Sequence, residues 1–152
     1  MIEVRRLEAL DIPQLLSIVR AADLAEIEEG CGQGLRQALE YGLAHSVEPL
    51  LILHGGQPLA AFGEVALVPG VVGVPWLIST THIQRHPLAF LKACRPLLQH
   101  MLQRHPTLTN YIDARNTAAI RWLQWLGFRM DSPVPHGPHR LPFRQFHLTR
   151  DS

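Results

Sequence analysis

Cysteine is scarce in this chain. Its two residues, Cys31 and Cys94, lie far apart and have no CxxC spacing, which excludes a disulfide framework and a structural zinc site. A reducing, cytoplasmic setting is the expectation. An excess of either charge is also missing. Fourteen basic residues face thirteen acidic ones, for a net charge of +1. That balance provides neither the basic footprint of a nucleic-acid binder nor an acidic tail, so no nucleic-acid partner is expected. The longest apolar run, Leu50 to Leu53, falls far short of the roughly 20 residues that cross a bilayer. No charged-then-apolar leader opens the sequence, and a soluble chain without membrane contact is expected. Internal repeats and low-complexity tracts are absent as well. A length of 152 residues suits one domain, 1–152, around a core of ordinary size.

What is present alternates between strand and helix signals. Residues 2–6 alternate like a strand, and Asp11 with Pro13 opens a helix expected to run to about Ala25. A glycine-rich break, Gly30 to Gly34, precedes a second helix from Leu35 to about His45. Leu50 to His54 and Leu59 to Leu67 read as strands joined by a hairpin turn over His54 to Pro58. A further strand spans Val71 to about Thr80. Within it Pro75 cannot donate to a ladder and marks an edge or bulge. A helix follows from about Pro87 to His105, bent by Pro96. Next come a strand from Leu108 to Asp113, a helix opened near Asn116, a stretch from Met130 to Arg140 rich in Pro, Gly and His, and a closing strand from Phe143 to Leu148. The order βααβββαβαβ indicates an α/β domain with a mixed sheet.

The stretch from Asn116 to Phe128 is the most informative. Asp113 and Asn116 can cap a helix start, and apolar residues recur at Ala119, Ile120, Leu123 and Leu126. Gly127 can take the left-handed conformation that ends the helix. The stretch resembles the last motif of the GNAT superfamily, the acyl-CoA-dependent N-acyltransferases, whose form is N-x-x-A-[IVL]-x-x-[YF]-x-x-x-G-F. Asn116, Ala119, Ile120, Gly127 and Phe128 fall on it. The resemblance implies a GNAT-like mixed sheet in which the fourth and fifth strands splay to admit the pantetheine arm of acetyl-CoA, the acyl donor.

The resemblance also implies a donor site. The family's phosphate loop, [RQ]-x-x-G-x-[GA], matches Gln84 and Ala89, with Pro87 in place of the central glycine. Proline removes one backbone donor there but suits the first turn of a helix. Arg85 and His86 can add side-chain donors to phosphate. The expected donor site therefore comprises Ile78, Ser79, Thr80, Thr81, Gln84, Arg85, His86, Leu88, Ala89 and Asn116. Asn116 would bond pantetheine amides, or simply cap its helix.

For catalysis the family often places a Tyr seven residues after the Asn, where it can protonate the departing thiolate. Leu123 occupies that position and cannot act as a general acid. Candidate bases are Glu64 on the third strand, His82 beyond the fourth and Asp113 at the end of the fifth. The His82/His86 and His136/His139 pairs have spacings that could reach a metal, but lie on no confident helix and lack an HExxH pattern, so no metal is expected.

A narrower resemblance is carried by Pro75-Trp76-Leu77, residues 110–113, Arg115-Asn116, residues 120–123 and Gly127-Phe128. It is to a GNAT-like family encoded by tailed phages and prophages and linked to virion assembly. Two expectations follow. One is an acetyl-CoA-dependent N-acetyltransferase acting on an amine. The other is a catalytically weak GNAT-like phage protein, with a homodimer or virion proteins as partners and a virion-associated location.

Overall fold

Alternating apolar residues and a proline determine how the sheet forms and where it opens. A computed structural model describes residues 1–150. Strands β1 (Ile2–Arg6), β2 (Leu50–His54), β3 (Gln57–Val68) and β4 (Val72–Ser79) each run antiparallel to the next. Strand β5 (Thr107–Asp113) lies parallel to β4, and β8 (Leu141–Thr149) lies antiparallel to β5. Two short strands, β6 (Arg129–Met130) and β7 (Val134–His136), also pair with β8. The sheet order is β1-β2-β3-β4-β5-β8-β6.

Helices cover both faces of this sheet. On one face α1 (Ile12–Ile18) and α3 (Leu35–His45) bury Leu15, Leu35 and Leu39 against Leu51, Leu53, Ala61 and Ile78. On the other, α4 (Pro87–Arg104) and α5 (Thr117–Trp125) bury Phe90, Leu102 and Ile120 against Ile52, Phe62, Leu108 and Ile112. Each face thus has its own apolar layer, as period-2 strands between amphipathic helices require. Pro96 lies inside α4, which runs unbroken over its 18 residues.

Two segments depart from the sequence expectation. The first helix does not continue to Ala25. Val19 and Arg20 are extended, with ψ of 141° and 138°, before a short α2 (Ala21–Ala25) and a π-helical turn (Glu26–Gly30). Val19 forms an antiparallel bridge with Thr80, and the Arg20 N–H donates to the Ser79 carbonyl at 2.9 Å. Pairing with a distant strand outweighs local helix propensity here. The second departure is the Pro-, Gly- and His-rich stretch Met130 to Arg140, to which the sequence assigns no strand. It contains β7, which turns into β8 through Gly137 at φ 77° and Arg140 at φ 51°.

The β4–β5 junction sets up everything that follows. These strands pair only at Val72–Thr107 and Gly73–Leu108, and then diverge. The Thr80 N–H donates to Leu59 on β3. By alternation, Pro75, Leu77 and Ser79 therefore present their backbone groups toward β5. Pro75 has no N–H to extend the ladder, and its carbonyl accepts instead from Asn110 Nδ2 at 2.8 Å. The open V expected from Pro75 is present.

Packing near the V is tight. A Cβ added at Gly42 in α3 would lie 2.6 Å from Trp76 Cζ2. Gly→Ala inside a helix normally stabilises by up to about 1 kcal/mol. At this position overpacking should win, so that Gly42→Ala lowers stability by about 1–3 kcal/mol in urea unfolding. An unchanged or raised midpoint would mean that Trp76 yields freely.

Candidate active site at the strand splay

Because the V leaves a gap in the sheet, the cavity associated with it reaches both faces. Its volume is about 490 Å³. On the α4/α5 side it is lined by Phe62, Leu77, Phe90, Trp122 and Leu123. On the α3 side the lining includes Ile27, Tyr41, Val74, Trp76 and Tyr111. Almost every wall is apolar, and the polar groups gather where the two chambers meet.

That throat is built by the segment displaced from the first helix. Arg20 is buried and donates from Nε to Ser79 Oγ at 2.9 Å. Its Nη2 donates to Asp23 Oδ1 at 2.8 Å and to Asn116 Oδ1 at 2.7 Å. The guanidinium also lies 4.9 Å above the Trp122 ring. Asp23 Oδ2 accepts from the Ser79 N–H at 2.6 Å and from the Ser79 hydroxyl. The Asn116 amide donates to Asp23 Oδ1 at 3.0 Å and to Glu26 Oε1 at 3.2 Å. Buried ions are tolerable only when satisfied in this way.

Glu26 bridges to the opposite strand. Its Oε1 accepts from the Asp113 N–H at 3.1 Å. Asp23 and Glu26, three residues apart, thus reach the backbone of β4 and of β5 respectively. Both bonds to the Glu26 carboxyl end on Oε1, and among the described residues Oε2 has no partner. Burial pushes the Glu26 carboxyl up to about 7, against the opposing effect of the Asn116 and Asp113 hydrogen bonds. A carboxyl lining a cavity and titrating near neutrality can accept a proton at physiological pH.

The expected site residues fall in several places. Ile78 lines the cavity. Asn116 also lines it, but makes no side-chain cap; its amide is spent on Arg20, Asp23 and Glu26. Ser79 is held by Asp23 and Arg20. The Thr80 hydroxyl donates to the Pro58 carbonyl and accepts from the His82 N–H. Thr81, Gln84, Arg85 and Leu88 are exposed around the start of α4, and Ala89 is half-buried there. His86 stacks on His54 with ring centroids 3.7 Å apart.

The expected bases lie outside the cavity. Glu64 is buried at the closed end of the V, where it accepts from Arg104 Nε and His105 Nδ1, each at 2.7 Å. Asp113 is neutralised by Arg115, which donates to both carboxylate oxygens. Ion pairs with Arg104 and Arg115 hold these two carboxylates, and neither lines the cavity. His82 sits half-buried in the turn before α4 and does not line the cavity. Leu123 does line it. Among the described residues no three His, Cys, Asp or Glu side chains cluster to hold a metal ion. Cys94 also lines the cavity, with its thiol pushed up to about 12 by burial, which leaves it unreactive.

Arg20, Asp23 and Glu26 were not legible as site residues. Arg20 and Asp23 fell inside a span that read as one continuous helix, Glu26 lay just past its expected end, and their partners lie 56 to 96 positions away.

No protein-family model and no curated protein matches the sequence. Solved structures do match. The Escherichia coli ribosomal-protein-S18-alanine N-acetyltransferase aligns over 98% of this chain and 94% of its own, at 17% identity and a TM-score of 0.68. The chain has the GNAT acetyltransferase fold. A GNAT-family acetyltransferase from Bacillus anthracis aligns over 99% and 96% of the two chains, at 10% identity and a TM-score of 0.74. The aminoglycoside acetyltransferase AAC(6')-Ib, solved with ribostamycin and coenzyme A, aligns over 99% and 94% at 17% identity and a TM-score of 0.72. Identities this low speak for the GNAT architecture alone. The phage-encoded family finds no support among these neighbours. Among the described residues no helix is long and apolar enough to cross a membrane.

Proposed function

We propose that the protein is an acetyl-CoA-dependent N-acetyltransferase that passes an acyl group directly to an amine through the strand splay. The observation that carries this reading is the cavity reaching both faces of the sheet, with Glu26 in its throat. One chamber can receive a donor and the other an acceptor, and the V joins them. The neighbours' fold, one of them solved with coenzyme A, supports the choice of donor.

The residues of the α4/α5 chamber fit such a donor. Leu77 presents its N–H and C=O toward the V, as an amide-bearing arm requires. The first-turn amides of Leu88 and Ala89 in α4 lack intrahelical partners, and exposed Arg85 stands just before them; both features suit phosphate. One pair of groups is already engaged, since the N–H and C=O of Ser79 are held by Asp23 and Arg20. When bound, acetyl-CoA supplies a thioester carbonyl open to attack by an amine.

The chain's own residues supply the rest. Glu26 takes the proton from the incoming ammonium at Oε2, while Asn116 and the Asp113 N–H hold Oε1. Phe62, Phe90 and Trp122 exclude water from the donor side. Leu123 gives no proton to the departing thiolate, which leaves that step to solvent.

Leu123→Tyr tests this arrangement. Steady-state acetylation should rise by up to about 10²-fold and gain a high-pH limb from the phenol. No change in rate or profile would mean that an acid acts from elsewhere. Acetyl-CoA at 100 times its dissociation constant should also stabilise the wild type by about 2.7 kcal/mol. The absence of any shift would sink the proposal. A second reading, a catalytically weak protein of this fold, is favoured by Leu123 and by the internal engagement of Ser79. It predicts donor binding without turnover.

A further inference from the structure

The α3-side chamber has a composition and a closure that select among amines. Its walls are Ile27, Tyr41, Val74, Trp76 and Tyr111. The indole Nε1 of Trp76 is already spent on Ser46 Oγ at 2.7 Å, so that its ring serves as an apolar surface. Two carboxylates line the cavity, Asp23 and Glu26. Asp23 is fully committed to Arg20, Ser79 and Asn116, which among the described lining residues leaves Glu26 as the acid able to meet a cation.

The chamber is also closed on its β5/β8 side. A Cβ at Gly137, in the turn between β7 and β8, would come within 2.0 Å of the Gly30 carbonyl oxygen. A Cβ at Gly32 would come within 2.7 Å of Pro138 Cγ. These two loops therefore touch, with no room for a polypeptide to pass between them. His136 stacks on Tyr111 with ring centroids 4.2 Å apart and seals the same edge. The remaining mouth is framed by exposed Tyr41 and Leu67.

We infer that the acceptor is a small free monoamine, a single ammonium on an apolar, aromatic-sized body, whose charge meets Glu26 while its body lies between Tyr41 and Trp76. The inference rests on reading the cavity as an acyl-transfer site. A polyamine or aminoglycoside would bring further ammonium groups into apolar walls with no carboxylate to meet them. A peptide N-terminus offers the same single ammonium, but its chain must leave through the side closed by Gly30 and Gly137.

The test uses the full chain and four probes: 2-phenylethylamine, spermidine, ribostamycin, and a hexapeptide with an N-terminal Phe. Binding is read without donor from tryptophan fluorescence, and transfer is read as thiol release with acetyl-CoA. Phenylethylamine should quench the fluorescence, and Trp76→Phe should remove most of that quench. Its kcat/KM should exceed those of the other three probes by about 100-fold or more. Tyr41→Ala, at an exposed position and safe for folding, should raise KM for phenylethylamine about 10-fold with little change in kcat.

The two ideas fail differently. Equal or better turnover of spermidine, ribostamycin or the peptide overturns the monoamine inference and leaves acyl transfer standing. Phenylethylamine quenching without any thiol release supports the chamber's selectivity and overturns the transfer reading. The absence of both quench and turnover with phenylethylamine overturns the inference outright.

Discussion

Glu26→Gln should lower kcat/KM for acetyl transfer by about 10²–10⁴-fold, the range a positioned general base contributes. The pH profile carries the sharper test. With the carboxyl pushed up to about 7 by burial, wild-type activity should rise through that pH as the base ionises and then level off. The variant should lack this limb, because an amide does not titrate. Stability should move the other way. A carboxyl whose folded-state pKa lies above its unfolded value of about 4.5 holds its proton more tightly in the folded protein. Its contribution is therefore fully present below about pH 4.5 and is lost as pH rises through about 7. Gln cannot lose that proton, and its carbonyl can still accept from Asn116 and the Asp113 N–H. At pH 8 the variant should thus match or exceed wild-type stability, by at most about 3 kcal/mol. A variant that keeps both full activity and the limb near pH 7 would remove Glu26 from the mechanism. A stable but inactive variant fits a site that gives up stability for chemistry.

How much of this was legible in the sequence depends on the reach of each residue's partners. Pro75 marked the splay correctly because its effect is local: a missing N–H ends a ladder wherever the ladder runs. The Asn116 to Phe128 stretch gave helix α5 and the position of Leu123 for the same reason. Glu26 could not be read. Its titration depends on burial and on partners 87 and 90 positions away, while its neighbours Glu28 and Glu29 look identical in the sequence and are exposed. Glu64 misled for the converse reason. A lone acid on a central strand suggests chemistry, but Arg104 and His105 at the end of α4 occupy its oxygens. The tail from Met130 to Arg140 looked irregular because Pro and Gly are frequent there. Its strand β7 exists through pairing with β8, which propensity does not encode.

Asp23→Ala should be the most destabilising substitution in the throat. It leaves the buried Arg20 guanidinium without its ion-pair partner and the buried Ser79 N–H without an acceptor. Breaking a buried pair from one side costs about 3–5 kcal/mol. For a chain of this length that corresponds to a fall in Tm of roughly 6–20 °C. Removing both charges in Arg20→Met with Asp23→Leu should cost less than the single change, because no ion is stranded. If Asp23→Ala proves milder than the double variant, the network is not acting as a charge pair. Coenzyme A provides the decisive second measurement. In the wild type the Ser79 N–H, on the edge of β4 that faces the V, is held by Asp23; in Asp23→Ala it is free to meet a pantetheine amide. The thermal shift produced by saturating coenzyme A should therefore be larger in the variant than in the wild type. Equal shifts would mean that the donor arm never reaches Ser79 and lies along Leu77 alone. A loss of shift would mean that Asp23 and Arg20 shape the donor chamber rather than occupy part of it.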